Sequence, residues 1–201
     1  MKISRLQRDI IIGTILGDGY IQKTGEKNAR LRLEHGAKQK DYLWWKVNNL
    51  SQFFQGKPKY LERIHPITNR TYKYWRHQSQ SVPYFGKLRK LFYHNGKKII
   101  PDDLESFLTA RSLAVWYMDD GYYYAKDRNA YIYLGNVIEK EAKKVQMTLS
   151  GLFGLETRVY RKKKGYAIFF PPNEVRKLKI LIQDYILDQF KYKLPFDPVT
   201  T

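Results

Sequence analysis

Two apolar stretches of the chain end in the same three residues, Asp-Gly-Tyr, 102 positions apart. The first covers residues 11–20 and the second covers residues 113–122. Each follows polar residues that are typical of a helix start, and each stops at a glycine, which is typical of a helix end. We therefore predict two buried helices, each with a carboxylate in its last turn. Gly13 and Gly17 lie one turn apart and are expected to let the first helix approach a partner closely.

The two halves of the chain predict the same order of elements: helix, two strands, helix, two strands, helix. In the first half the later elements are a helix over residues 38–54, strands over 57–64 and 71–78, and a helix over 83–93. In the second half they are strands over 122–126 and 130–134, a helix over 138–153, strands over 156–162 and 166–170, and a helix over 174–187. Each half closes on lysines just before Pro101 or Pro195. We expect two repeats of one module, over residues 1–101 and 102–201.

The charge of the chain indicates a polyanionic partner. Lys and Arg number 37 against 19 Asp and Glu, which gives a net charge of +18. Residues 1–100 hold 21 basic and 6 acidic side chains (net +15), whereas residues 101–201 hold 16 and 13 (net +3). Because cations that neutralise phosphates release condensed counterions, this excess favours nucleic acid over a basic ribosomal or membrane-surface role. The first half is expected to make more of the phosphate contacts.

Several predicted strands alternate polar and apolar residues, which indicates sheets with one solvated face. Arg30 and Arg32 share one face of their strand, and Tyr131 and Tyr133 share one face of theirs. A basic, aromatic-containing hairpin ending near Gly165 suits the DNA major groove, which admits a two-stranded ribbon. The residues expected to contact DNA are Arg30, Arg32, Lys57, Lys59, Arg63, Arg70, Lys73, Arg76, Tyr131, Tyr133, Arg158, Tyr160, Arg161, Lys162 and Lys163.

Asp18 and Asp120 occupy matching places at the ends of the two duplicated helices. If the helices pack together, the two carboxylates approach and repel each other, and a hard divalent cation relieves that repulsion. The chain has no cysteine, and its four histidines lack ligand spacing. Oxygen ligands alone point to Mg²⁺ or Mn²⁺ rather than Zn²⁺. One Asp-Gly after a helix is ordinarily just a turn, but two copies in equivalent places favour a metal site.

The two stretches resemble the paired signature helices of LAGLIDADG homing endonucleases of the single-chain, two-repeat type. The matching copies are residues 11–19 and 113–121, and the shared order of elements extends from about residue 9 to residue 195. The subgroup encoded in yeast mitochondrial introns is especially similar, on residues 16–21, 116–121 and 192–195. The resemblance implies an α+β fold of two pseudo-symmetric αββαββα repeats, whose antiparallel sheets form a saddle over the DNA.

The resemblance also implies roles at the helix ends. The acid before each terminal glycine, Asp18 or Asp120, would be a catalytic metal ligand. The residue before each acid, Gly17 or Asp119, would contribute a backbone carbonyl to the metal. An acidic side chain at 119 departs from the glycine of the first copy, and the resemblance assigns it no role.

Lys98 and Lys193 match the basic active-site residues of the family, where a lysine orients water or stabilises charge on the phosphate. On sequence grounds alone, each could equally be a cation that stabilises a helix C-terminus. The two glycine positions of the first helix carry Val115 and Asp119 in the second copy. We therefore expect the two helices to pack asymmetrically.

The leading hypothesis is a site-specific endonuclease that makes a metal-dependent double-strand break with 3′ overhangs in a long double-stranded DNA target and so promotes intron mobility. The alternative is an intron RNA maturase or a DNA-binding regulator that keeps the fold without cleavage. The presence of both aspartates and both lysines argues against the alternative. Two signature copies in one chain predict a monomer. Without a membrane-spanning run or a secretory signal, the expected location is soluble and intracellular, in an organelle matrix or stroma or a prokaryotic cytoplasm.

Overall fold

A computed structural model describes residues 2–196 of the 201 residues. The chain divides into two compact units. The first comprises Asp18–His94, and the second comprises Lys2–Gly17 together with the chain from Asn95 onward. The first duplicated helix therefore belongs to the second unit, with its counterpart. The predicted boundary between residues 101 and 102 divides the two sequence repeats, which are not the same as these two compact units. Residues 197–201, at the end of the second repeat, lie outside the described residues.

The two duplicated helices are α1 (Arg5–Leu16) and α4 (Ala110–Asp120). Helix α4 carries Asp120 in its last turn, as the sequence predicts. Helix α1 ends two residues earlier than predicted, because the Gly17 backbone (ψ −131°) leaves the helical conformation, and Asp18 therefore lies just beyond the helix. Ser4 caps α1: its hydroxyl accepts a hydrogen bond from the Gln7 backbone N–H, while the Gln7 side chain accepts one from the Ser4 N–H. Thr109 and Ser112 form the same reciprocal pair at the start of α4. Each helix stops at a glycine, Gly17 in α1 and Gly121 in α4.

α1 and α4 pack against each other at the two glycines of α1. A Cβ atom on Gly13 would lie 2.3 Å from the Ser112 carbonyl oxygen, and one on Gly17 would lie 2.4 Å from Asp119 Oδ2. Both distances are far shorter than van der Waals contact. The predicted close approach is confirmed, and it is asymmetric because Asp119 fills the space that Gly17 leaves open.

The first unit is a four-stranded antiparallel sheet covered on one face by two helices. Its elements are β1 (Tyr20–Lys23), β2 (Ala29–Gly36), α2 (Lys40–Asn49), β3 (Lys59–Ile64), β4 (Thr71–Gln78), α3 (Pro83–Phe92) and the short β5 (Tyr93–His94). The strand order is β1-β2-β4-β3. Leu31 and Leu33 point into the core under α2 and α3, whereas Arg30 and Arg32, which alternate with them, are half-buried on the opposite face.

The second unit repeats this plan. Besides α1 and α4 it contains β6 (Lys97–Lys98), β7 (Gly121–Tyr124), β8 (Asn129–Gly135), α5 (Glu139–Phe153), β9 (Arg158–Lys162), β10 (Gly165–Phe170) and α6 (Pro172–Ile182). The strand order β7-β8-β10-β9 reproduces that of the first sheet. The predicted hairpin is confirmed: Lys162 pairs with Gly165, whose φ of 109° favours glycine at this turn. The mixed, antiparallel α+β fold is as expected.

Two helices are shorter than the sequence predicts. The helix expected over residues 38–54 is α-helical only from Lys40 to Asn49, because the Leu50 backbone (φ −110°, ψ 24°) leaves the helical conformation. α6 begins at Pro172 and gives way at Ile182 to a 3₁₀ turn, Gln183–Tyr185, rather than continuing to residue 187. Further 3₁₀ turns are Ala37–Gln39, Leu104–Ser106 and Asp188–Lys193. Within residues 2–196, no helix is both long and apolar enough to cross a bilayer.

Candidate active site

A lysine sits at the C-terminal end of α1. Lys98, in β6, donates a 2.6 Å hydrogen bond to the backbone carbonyl oxygen of Gly17, the residue immediately before Asp18. Carbonyl groups at a helix C-terminus carry partial negative charge, so a cation there stabilises the helix. The same contact holds an ammonium group one residue from a proposed catalytic acid. The position of Lys98 therefore fits both roles that the sequence left open, an active-site lysine and a cation that stabilises the helix C-terminus.

Lys193 makes the matching contact at the end of α4. Its ammonium donates to the Met118 carbonyl oxygen at 2.7 Å and more weakly to that of Asp119 at 3.4 Å. The segment that carries Lys193 is tied to α4 by the Tyr117 hydroxyl, which donates a 2.8 Å bond to the Lys193 carbonyl. Burial raises the pKa of Tyr117, so this phenol stays protonated as a donor. Unlike Lys98, Lys193 is buried.

Asp120, the last residue of α4, faces a cavity of about 400 Å³ in the second unit. Lys98 and the end of α1 line the same cavity, so an acidic and a basic residue share its wall. Its wall also contains residues that sequence reasoning missed, namely Trp116, Tyr133 (considered only as a DNA contact) and Asn136. Asn136 follows the end of β8, and no periodicity in the sequence marks it.

Asp18 begins the first unit, where it lies beside a histidine. Its Oδ2 atom is 3.9 Å from Nδ1 of His35, and about half of the Asp18 side chain is exposed to solvent. The His35 ring is buried and packs against Tyr42 with a centroid distance of 4.8 Å. His35 was not among the site residues that the sequence predicts. The sequence does contain one indication of His35: it occupies the next buried position of β2 after Leu31 and Leu33, where an apolar residue would be expected.

The donor groups at the helix ends suit a hard divalent cation. Asp119 and Asp120 supply carboxylates in the second unit, and Asp18 supplies one in the first. The Gly17 and Asp119 carbonyl oxygens each accept a lysine hydrogen bond and keep a second lone pair. Oxygen donors of this kind bind Mg²⁺ and Mn²⁺, and the negative end of a helix favours a cation. The residues present therefore fit such an ion.

The solvated face of the first sheet carries the arginines that the sequence singled out. Strand register places five cations on it: Arg30, Arg32, Lys59, Arg63 and Arg76. Glu34 Oε1 accepts a hydrogen bond from Arg76 Nε at 2.8 Å and forms an ion pair with Arg32 Nε at 3.0 Å. Arg30 donates to Gln22 Oε1 at 3.0 Å. Because neighbours fix the guanidinium groups, this face presents donors in defined directions.

Other cations of the first unit lie elsewhere. Lys73 occupies the opposite face of β4, where it forms a 3.3 Å ion pair with Glu62. Lys57 precedes β3, and Arg70 precedes β4 at the hairpin between the two strands. Strand register therefore does not place any of these three side chains on the solvated face that carries the arginines.

The solvated face of the second sheet is aromatic rather than charged. Strand register places five of the expected DNA contacts on it: Tyr131, Tyr133, Arg158, Tyr160 and Lys162. Arg161 lies on the opposite face of β9, and Lys163 lies in the turn between β9 and β10. A hydrogen bond of 2.9 Å joins the hydroxyl groups of Tyr124 and Tyr133. The two sheets thus offer different chemistry on equivalent surfaces.

Comparison with known proteins assigns this arrangement to a family. The sequence profile of the LAGLIDADG DNA endonuclease family matches residues 8–178. The chain is 32% identical over 202 residues to the "Probable intron-encoded endonuclease 1" of Wickerhamomyces canadensis, covering 97% of this chain and 86% of that protein. It is 26% identical over 192 residues to the "Cytochrome b mRNA maturase bI2" of Debaryomyces hansenii, covering 92% and 72% of the two chains.

Among solved structures, the fold is similar to that of the homing endonuclease I-WcaI bound to its DNA recognition sequence. The TM-score is 0.90 at 29% sequence identity, and the match covers 98% of this chain and 89% of that one. The likeness thus extends over the sheets and signature helices of both units.

Proposed function

Because the chain belongs to the LAGLIDADG DNA endonuclease family, we propose that it is a site-specific homing endonuclease that cuts both strands of a long DNA target and leaves 3′ overhangs. The observation that carries the proposal is the pair of matched lysine contacts. Lys98 bonds the carbonyl before Asp18 at 2.6 Å, and Lys193 bonds the carbonyl two residues before Asp120 at 2.7 Å. A fold that only bound nucleic acid would not need an acid and an ammonium group duplicated at both helix ends.

Each helix end supplies one set of catalytic groups in this proposal. Asp18 and Asp120, with the carbonyls of Gly17 and Asp119, would hold Mg²⁺, for which Mn²⁺ would substitute. When bound, such an ion supplies an activated water and charge stabilisation at the scissile phosphate. Lys98 and Lys193, already oriented by their carbonyl bonds, would stabilise the negative charge that develops on the phosphate oxygens. Duplicated groups account for cleavage of two strands.

The solvated faces of the two sheets would bind the DNA. The fixed arginines of the first sheet suit hydrogen bonds to phosphates and to guanine edges in the major groove. Lys162 and Arg158 supply cations on the second sheet. Since both signature copies lie in one chain, we expect a monomer to bind an asymmetric target. Cleavage of an uninterrupted allele would promote copying of the intron that encodes the protein.

The proposal is tested by mapping the cut. The purified chain is incubated with a pool of randomised duplexes in Mg²⁺, and the new ends are sequenced on both strands. We expect one enriched sequence, cut on both strands with 3′ overhangs. Sequence-independent degradation, blunt ends or 5′ overhangs would contradict the proposal. Light scattering on the same preparation tests the monomer.

The likeness to a cytochrome b mRNA maturase favours one alternative, an intron RNA-binding protein that keeps the fold and lacks cleavage. It predicts tight binding to the host intron RNA, no cut in the randomised pool, and splicing that depends on the protein. The two functions differ in their need for the acids. Asp18→Asn and Asp120→Asn should leave RNA binding and splicing intact, but they should remove DNA cleavage.

A further inference from the structure

Many equivalent positions on the solvated faces of the two sheets carry side chains of different chemistry. The registers of the strands align the two solvated faces position by position. Six polar or charged residues of the first sheet are matched by aromatic or apolar ones in the second: Gln22 by Tyr124, Arg32 by Tyr131, Glu34 by Tyr133, Lys59 by Tyr160, Gln78 by Phe169 and Arg76 by Ala167. Elsewhere Arg30 is matched by Asn129, and Leu61 is matched by Lys162. Tyr20 and Tyr122 alone are tyrosines in both copies. The two copies therefore share the same strand order and pairing, and they differ in most of the side chains that face solvent.

The aromatic residues of the second sheet form one connected surface, the tyrosine face, made of Tyr122, Tyr124, Tyr131, Tyr133, Tyr160 and Phe169. Tyr131 is its centre, with ring centroids 5.1 Å from Phe169, 5.6 Å from Tyr124 and 5.9 Å from Tyr133. Tyr122 and Tyr160 stand at its margins and are 48% and 39% exposed. A contiguous group of exposed aromatic side chains is typical of a binding site.

The geometry of the tyrosine face favours contact through ring edges over base stacking. The Lys162 ammonium lies 3.9 Å from the centroid of Tyr131 and so covers the ring at the centre. Tyr160 meets Phe169 edge-on, at an interplanar angle of 74° and a centroid distance of 5.1 Å. A base from a single strand needs an open ring face on which to stack, whereas a groove edge needs apolar carbon and hydroxyl groups pointing outward.

The tyrosine face is also compatible with a polyanion. Burial, together with the hydrogen bond to Tyr124, raises the pKa of the Tyr133 phenol to about 12, so this hydroxyl is uncharged near neutral pH. Arg158 and Lys162 provide positive charge on the same face. An apolar surface with cations beside it complements the floor of a DNA groove and its phosphate walls.

We propose that the tyrosine face selects thymine in the half of the target that it covers, through apolar contact with the C5-methyl groups in the major groove. The inference rests on the proposed function, since it takes duplex DNA as the ligand of this sheet. Apolar contact with the thymine methyl is a recognised way to distinguish base pairs in the major groove. The first sheet, with arginines at the matched positions, would read its half through hydrogen bonds instead.

The test begins from the sequence that the full-length protein enriches from randomised duplexes. Synthetic targets then carry deoxyuridine in place of thymidine in one half or the other, which deletes the methyl groups and keeps the base pairs. We expect thymine enrichment in one half, and a Kd about three- to fivefold weaker for each contacted methyl removed there. Deoxyuridine in the other half should change the Kd by less than about twofold.

Two variants assign the effect to the tyrosine face. Tyr160→Ala should reduce the deoxyuridine penalty in the sensitive half, because the methyl contact that Tyr160 makes is already lost. Arg32→Ala, at a polar face position of the first sheet, should weaken binding and keep the full deoxyuridine penalty. Thermal unfolding of each variant, matched to the wild type, verifies that both are folded.

Three outcomes would overturn the inference. The first is a specific target without a deoxyuridine penalty in either half, which leaves the endonuclease proposal standing. The second is a penalty that Tyr160→Ala retains and Arg32→Ala removes. The third is tighter, Tyr160-dependent binding of a single-stranded RNA than of duplex. If no duplex sequence is enriched at all, the proposed function fails first and this inference fails with it.

Discussion

The Lys98 ammonium donates a 2.6 Å hydrogen bond to the carbonyl oxygen of Gly17, the last residue before Asp18. One side chain thus both caps the C-terminus of α1 and bonds the residue that precedes a proposed metal ligand. Lys193 repeats the relationship at α4, but it is buried where Lys98 is half-buried. The two helix ends therefore share their contacts and differ in their access to solvent.

If Lys98 stabilises charge on the reacting phosphate, Lys98→Met should lower the single-turnover cleavage rate by about 10²-fold, the loss typical of one such group. Binding to the target should change by less than about twofold, because the ammonium would act at the reacting phosphate and not in the ground-state complex. Lys87→Met, which removes an exposed lysine on α3, is the control. Were the two variants to cleave equally fast, Lys98 would be only a helix cap.

The packing of α1 on α4 predicts a suppressor pair. A Cβ on Gly17 would meet Asp119 Oδ2 at 2.4 Å and Asp119 Cβ at 2.6 Å. Gly17→Ala should therefore lower the free energy of unfolding by about 1–3 kcal/mol. Adding Asp119→Gly removes both opposing atoms and should restore part of the lost free energy of unfolding. The recovery is incomplete because a glycine within a helix itself costs about 1 kcal/mol.

Urea unfolding of the single and double variants measures this coupling. Gly151→Ala is the matched control, because a Cβ there meets nothing within 4 Å in helix α5. It should leave stability unchanged or raise it by up to about 1 kcal/mol. Equal stability of Gly17→Ala and Gly151→Ala would show that the two helices are not in close contact at Gly17.

The contrast between the two sheets predicts different salt dependences. If Arg32 contacts a phosphate, Arg32→Ala should reduce the slope of log Kd against log salt concentration by about one. Tyr160→Ala should weaken binding and leave that slope unchanged, because it removes no charge. The measurement is a Kd titration at several salt concentrations on target and scrambled duplex. An unchanged slope and affinity for Arg32→Ala would exclude the solvated face of the first sheet from the DNA interface.

Much of the fold follows from local sequence, because its signals act over a few residues. Apolar runs bounded by Ser4 or Thr109 and by a glycine specify α1 and α4, and two-residue alternation specifies β2 and β8. Even the asymmetric approach at Gly17 is visible as the exchange of glycine for Asp119 in the second copy.

The rest of the fold and site depends on which strands and loops become neighbours in space. Local periodicity in the sequence does not encode these long-range contacts. In the sequence, His35 is only a polar residue that interrupts the apolar face of β2. The fold places its ring nitrogen 3.9 Å from the Asp18 carboxylate. Arg161 and Lys73 lie within basic segments, yet strand parity turns both away from the solvated faces. Only the register of β7 to β10 shows that scattered tyrosines form one surface.

The central claim, a metal-dependent endonuclease whose catalytic acids are Asp18 and Asp120, is tested most directly on a supercoiled plasmid that carries the target. Wild type should linearise the plasmid in Mg²⁺ and leave it intact in EDTA. Asp18→Asn and Asp120→Asn should each yield at most nicked circles while keeping Kd within about twofold, whereas Asp184→Asn, an exposed control after α6, should cut as wild type does. Full linearisation by Asp120→Asn in Mg²⁺, or by wild type in EDTA, would contradict the claim.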